Sequence, residues 1–174
     1  MRLVTIKQEF FDIFDFPTEI MSKDSNGHDR PFLMVLSLNY KNTKQSFALP
    51  FRSNIQVTPS TKGLYFSLPR RHTTKDKHAH GLHYIKIFPI DKKYCDKYII
   101  PNKKYDLMLM NYVKKNLKEI IEGAQEYLRK YESGERFTYC TDIDRMLTAL
   151  NEYELENQKI DTAEKQVAVS QEEI

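Results

Sequence analysis

The sequence predicts an α+β fold: a small antiparallel sheet or open barrel, packed by helices that follow it in the chain. Three observations support this. Short β-rich runs with hairpin-length connections fill residues 2–100, and after Pro101-Asn102 the pattern changes to long stretches with helical periodicity. The 174 residues, 40% of them hydrophobic, suffice for one buried core with a short appendage. The expected organisation is a single domain over residues 1–150, with its basic β part at about 30–104 and helices at about 104–150, and an acidic C-terminal extension over 151–174. Ile160, Ala163 and Val167 lie at helical spacing in that extension.

Residues 2–6 (RLVTI) read as a short strand, and EFFDIFDF as one or two helical turns ended by Pro17. MSKDSNGHDR is a polar loop with the turn dipeptide Asn26-Gly27, and PFLMVLSLNY, apolar on both faces in its centre, reads as a central strand. The polar residues 41–44 form a hairpin turn into residues 45–50, a strand stopped by Pro50. Residues 63–68 read as a further strand, PRRHTTKDKHAHG as a basic, histidine-rich loop, and residues 82–90 as another strand after it. Met110, Val113, Leu117, Ile120, Ile121, Ala124 and Leu128 place an apolar stripe on one helix from about 104 to 131, stopped by Ser133-Gly134. Thr141-x-x-Asp144 has the form of a capping box opening a second helix, with Ile143, Met146, Leu147 and Leu150 as its buried face.

The net charge of +3 conceals an uneven distribution. Residues 30–104 carry 15 basic side chains against three acidic ones, Asp76, Asp91 and Asp96, a net of +12, while residues 151–174 carry 2 against 7. Tyr40, Tyr65, Phe66, Tyr84, Tyr94 and Tyr98 lie among those cations. Such a span is either a surface for a polyanion, nucleic acid being the obvious one, or a solvated basic face. The mean hydropathy of −0.62 and the lack of an apolar run near the roughly 20 residues a bilayer requires argue against a membrane-spanning chain. Glu9, Asp12 and Asp15 stand where an export signal would be apolar, and Cys95 and Cys140 alone make no disulfide framework, so a reducing cytoplasm is expected.

Three clusters in the basic span have the residue types for phosphodiester chemistry. They are Arg30-Pro31-Phe32, the run from Ala48 to Asn54 containing Arg52, Ser53 and Asn54, and the run from Gly81 to Lys86 containing His83 and Lys86. That chemistry needs a proton acceptor for the nucleophile, cationic donors on the non-bridging oxygens and an acid for the leaving oxygen. Each cluster also has a plain structural explanation: Arg30 caps or pairs with Asp29, Ser53 and Asn54 make a turn, and His83 is a half-buried strand histidine. In a regular strand His83 and Lys86 would point to opposite faces. His78-x-His80-x-x-His83 has few nearby carboxylate or thiolate ligands, which argues for RNA contact by His78 and His80 rather than a metal site. No cofactor is expected.

The order of Arg30-Pro31-Phe32, FALPFRSNI (47–55), GLHYIKIFPI (81–90) and then long helices resembles the toxins of type III toxin-antitoxin systems, the ToxN/AbiQ family, and within it the CptN branch. The likeness covers roughly residues 1–150, and PFRSN is its most specific part. It implies a strongly twisted, SH3-like barrel of the MazF/Kid kind, and an endoribonuclease that cuts without metal through the ribose 2′-hydroxyl, leaving a 2′,3′-cyclic phosphate and a 5′-hydroxyl. The implied partners are cellular single-stranded RNA as substrate and a repeated, folded antitoxin RNA that the toxin processes and that inhibits it in a closed protein–RNA assembly. By position, Arg30 and Arg52-Ser53-Asn54 match the family's polar positions. The family's Thr-Ser-x-Lys arrangement is replaced by Phe51, Arg52, Ser53 and Asn54, so that the proton-handling group falls to His83, with Lys86 in reserve. Arg70, Arg71, Lys75, Lys77, Lys92 and Lys93 are the expected phosphate contacts, and Tyr84 an expected base contact. A non-catalytic RNA-binding module and a DNA-binding regulator using the 104–131 helix are the competing readings.

Overall fold

A computed structural model describes residues 2–20, 31–100 and 103–172. The element order is β1 (Arg2–Ile6), α1 (Gln8–Asp12), β2 (Phe32–Tyr40), β3 (Thr43–Gln56), β4 (Tyr65–Leu68), β5 (His78–His83), β6 (Phe88–Pro89), β7 (Cys95–Lys97), α2 (Lys104–Lys115), α3 (Leu117–Glu132) and α4 (Ile143–Glu172). The expected α+β architecture is present: seven antiparallel strands in the order β4-β5-β3-β2-β1-β7, with β6 also paired to β3, and helices after the sheet. Arg30 and the Asn26-Gly27 turn lie outside the described residues.

β3 is the spine. Its first half pairs with β2, while its other edge takes β6 and then β5. Pro50 was expected to end this strand but does not. The pairs Phe51↔Leu82 and Ala48↔Phe88 set a three-residue advance on β3 against six on the partner. Three extra residues, Tyr84–Lys86, therefore leave the ladder as a 3-10 turn, and Pro50 stands opposite that loop-out, where a missing N–H costs little. A one-residue bulge between Arg52 and Ile55 follows on β3. At the β2–β3 turn, Lys41 and Asn42 both have positive φ, 47° and 61°, the geometry of a two-residue hairpin turn.

Both faces of the central strands are buried, as the continuous apolar run of β2 requires. Leu33, Leu49, Leu82 and Ile87 pack with Val113 of α2 and with Ile120, Ala124, Tyr127, Leu128 and Tyr131 of α3. Val4, Phe32, Ala48 and Phe88 pack on the other side with Phe10 of α1, Tyr94 and Met146 of α4.

Further local expectations differ from the structure, beginning with the strand expected over 82–90, which is the end of β5, the 3-10 turn and β6. The 104–131 helix is two helices, broken at Asn116 (φ −106°, ψ 16°), whose side-chain amide donates to the Tyr112 carbonyl at 2.8 Å and so competes with regular helical bonding. α4 is capped by Asp142, whose carboxylate accepts from Arg145 N–H at 3.1 Å, rather than by Thr141; Asp144 instead takes the Tyr40 hydroxyl at 2.7 Å and Lys41. His78 and His80 belong to β5, not to the preceding loop. α4 runs on through the acidic stretch, with Tyr153, Leu155 and Ile160 exposed. No described helix is long and apolar enough to cross a membrane.

Candidate active site

Arg52, His83 and Lys86 line one open groove of about 520 Å³. Arg52 lies on β3 opposite Gly81 of β5. A Cβ at Gly81 would stand 2.6 Å from the Phe66 carbonyl oxygen, so the close approach of β4 there needs glycine. β5 ends at His83, and the turn Tyr84–Lys86 begins at once. In a 3-10 turn residues i and i+3 eclipse, which brings Lys86 to the side of His83 that a regular strand would deny it. The expectation of opposite faces is thus overturned by the loop-out.

That turn is held from three directions. Tyr84 N–H donates to the Leu64 carbonyl at 2.9 Å, and Thr141 N–H, from the α3–α4 connection, donates to the Ile85 carbonyl at 2.9 Å. The Tyr84 ring is buried beneath α3, so close that a Cβ at Gly123 would stand 2.3 Å from its hydroxyl. Tyr84 is therefore a strut of the core and has no open face for a base.

The groove is cationic but closely balanced. Lys86 is 5% exposed, and its ammonium is met by the Glu19 carboxylate at 2.9 Å. His83 is also buried, and its Nδ1 has no hydrogen-bond partner among the described residues, a cost of about 1–3 kcal/mol that native folds rarely leave unexplained. Burial first, then the Arg52 and Lys86 charges, push its pKa down to about 3. The imidazole is consequently neutral near pH 7, a proton acceptor beside two cations. Such an arrangement suits an anion, because a phosphate between Arg52 and Lys86 would offset the charges that oppose protonation of His83.

The other expected site residues are dispersed. Ser53 is exposed on the bulge, and Asn54, at φ 122°, accepts from Lys75 N–H at 2.9 Å, so it ties the β4–β5 loop to β3. Arg70 donates to the Thr74 and Lys75 carbonyls, and Arg71 meets Asp106 at 3.3 Å and covers the Tyr105 ring. Lys75 and Lys77 are exposed. Lys92 and Lys93 precede β7, at the sheet edge remote from that loop, and Lys93 is paired with Glu154. His78 Nδ1 contacts the Asp76 carbonyl at 2.8 Å, while His80 Nδ1 contacts the Pro69 carbonyl and the Tyr105 hydroxyl, each at 3.0 Å. His80 and His83, three apart on a strand, face opposite ways, so the histidine run does not converge.

Glu19, Thr138 and Tyr139 also line the groove and were missed in the sequence. Glu19 sits in no motif. Tyr139 had one signal, an aromatic residue in the polar stretch between Gly134 and the next helix.

The fold has known counterparts. A protein of a bacterial antiviral system regulated by a processed non-coding RNA superposes with a TM-score of 0.65 at 14% identity, covering 85% of this chain and 96% of its own. A protein of a bacterial type III toxin-antitoxin system, in which a non-coding RNA pseudoknot selectively inhibits the toxin, gives 0.64 at 17% identity, with 88% and 97% covered. AbiQ, a lactococcal anti-phage endoribonuclease of a type III toxin-antitoxin system, gives 0.62 at 13% identity, also with 88% and 97% covered. The chain thus has the fold of the ToxN/AbiQ toxins along nearly their whole length, as the sequence resemblance implied. No protein-family model and no curated protein sequence matches it.

Proposed function

We propose that this protein is an endoribonuclease toxin of a type III toxin-antitoxin system, cutting single-stranded RNA without metal and restrained by a folded, repeated RNA. The observation that carries this reading is the convergence of Arg52, His83 and Lys86 in one groove, on a fold shared with AbiQ. In the proposed reaction the ribose 2′-oxygen attacks the adjacent phosphorus, and neutral His83 takes the 2′-hydroxyl proton. The bond from phosphorus to the 5′-oxygen breaks, and that oxygen leaves with a proton from Lys86. Arg52 bonds the non-bridging oxygens as their charge grows. The products are a 2′,3′-cyclic phosphate and a 5′-hydroxyl. Glu19 holds Lys86 until the phosphate takes its place. Asn54 holds the loop behind Arg52, and Ser53, exposed on the bulge and outside the groove lining, takes no part in the step.

The roles separate experimentally. On an oligonucleotide whose 5′ leaving oxygen is replaced by sulfur, departure needs no acid. Lys86→Met is expected to be slow on ordinary RNA and to recover most of its rate on the sulfur substrate, while His83→Gln stays slow on both. Equal recovery of the two variants would overturn the assignment. The inhibitory RNA is expected to cover the groove and to bridge protomers in a closed assembly; a mass measurement of the complex that gives one protein per free RNA would refute that arrangement.

A further inference from the structure

Glu19 and Tyr139 line the groove and share an unusual backbone: both are non-glycine residues with positive φ, 58° and 61°. An L side chain in that region carries a steric cost that persists only where its surroundings impose it, and such residues gather at functional sites. The other described cases have local causes. Lys41 and Asn42 form the β2–β3 turn, Ser37 and Asn54 lie within bulges, and Lys77 is in the turn leading into β5. Glu19 is explained by its bond to Lys86. Tyr139 has no hydrogen bond and no ring contact among the described residues.

A single exposed aromatic is ordinary. Tyr139 differs because three properties coincide. Its side chain is 72% exposed at the rim of a cationic groove, its backbone is left-handed, and its loop is clamped on both flanks. On one flank the Phe137 ring packs on Tyr127 with centroids 6.1 Å apart, and Cys140 N–H donates to the Phe137 carbonyl at 3.1 Å. On the other, Thr141 is buried and bonded to Ile85, within the same turn that ends at Lys86. The Tyr139 backbone is therefore anchored beside the groove, and its ring stands exposed at the rim.

We propose that Tyr139 is a stacking platform for an unpaired base next to the phosphate held by Arg52 and Lys86, and that it makes the groove select single-stranded over duplex RNA. The identity of the ligand rests on the endoribonuclease reading. Every base has a π-face, so the platform tolerates sequence, whereas a duplex must unstack a base before using it. Phosphate contacts alone would not discriminate in this way.

The chain has no tryptophan, so Y139W introduces its sole indole. Titration of that variant with an uncleavable 2′-deoxy oligonucleotide is expected to quench its fluorescence saturably, and an abasic strand of equal length to leave it unchanged. Tyr139→Ala is expected to lower kcat/KM on unstructured RNA by about 10- to 100-fold and to narrow the preference over duplex, with Tyr139→Phe within about twofold of the parent. Parent-like cleavage by Tyr139→Ala, or equal quenching by the abasic strand, would overturn the platform and leave the endoribonuclease reading intact. Quenching only by base-bearing strands, with no RNA cleavage by the parent protein, would keep the platform and remove the enzyme.

Discussion

His83 is the residue whose environment says most about the chemistry. A histidine buried between two cationic side chains, with Nδ1 unpartnered among the described residues, gives up stability that a core would normally keep. Because its folded pKa, about 3, lies below the ordinary histidine value, the unfolded chain binds more protons between those two values. Stability from this residue is therefore full above about pH 6.5 and falls as pH drops toward 3. Thermal or urea unfolding from pH 7 to pH 4 is expected to lose about 1–3 kcal/mol less in His83→Gln than in the parent; identical pH dependence would place the imidazole in a solvated setting. Arg52→Ala should slow RNA cleavage by about 100- to 1000-fold, the cost of one charge-stabilising donor, and should leave the unfolding midpoint within a few degrees. An unchanged rate would remove Arg52 from the site.

The 3-10 turn Tyr84–Lys86 is the element that makes the groove. It converts two residues of opposite strand parity into neighbours, and it is braced by α3 at Gly123 and by the α3–α4 connection at Thr141. Gly123→Ala would drive a methyl group into the Tyr84 hydroxyl, so a loss of about 1–3 kcal/mol in stability is expected, with a fall in activity larger than in a surface variant of α3 such as Lys118→Ala. Retention of full stability would mean that the strut is dispensable. The sheet was legible in advance because β2 and β3 announce themselves by apolar runs and a polar hairpin turn, and the residue order of PFRSN and GLHYIK already pointed to Arg52, His83 and Lys86. Their convergence was not legible. It depends on a three-residue slip between β5 and β6, a fact of register that composition does not encode, and Pro50 pointed the wrong way because, while it stays paired to Phe32 on the β2 edge, the other edge of β3 has no ladder partner there to lose. Glu19 and Tyr139 reach the groove from opposite ends of the chain through tertiary packing alone.

On the scale of the whole molecule, the net +12 of residues 30–104 is spread over both edges of the sheet and is partly consumed internally, at Arg71 with Asp106 and at Lys93 with Glu154. Lys75 and Lys77 remain open on the β4–β5 loop, which Asn54 ties to the strand carrying Arg52. Neutralising Arg70, Arg71, Lys75 and Lys77 together should reduce the slope of log affinity for single-stranded RNA against log salt. The drop should be about 1.4 if only the two lysines meet phosphates, and about 2.8 if all four do. An unchanged slope would make that loop a solvated face. In the proposed reaction Arg52, His83 and Lys86 together cut RNA through its own 2′-hydroxyl. End-group analysis of RNA incubated with the parent protein in excess EDTA tests that reaction. Fragments ending in a 2′,3′-cyclic phosphate and beginning with a 5′-hydroxyl, absent with Arg52→Ala, are the predicted result; loss of cleavage under chelation, or fragments carrying 5′-phosphate and 3′-hydroxyl ends, would contradict it.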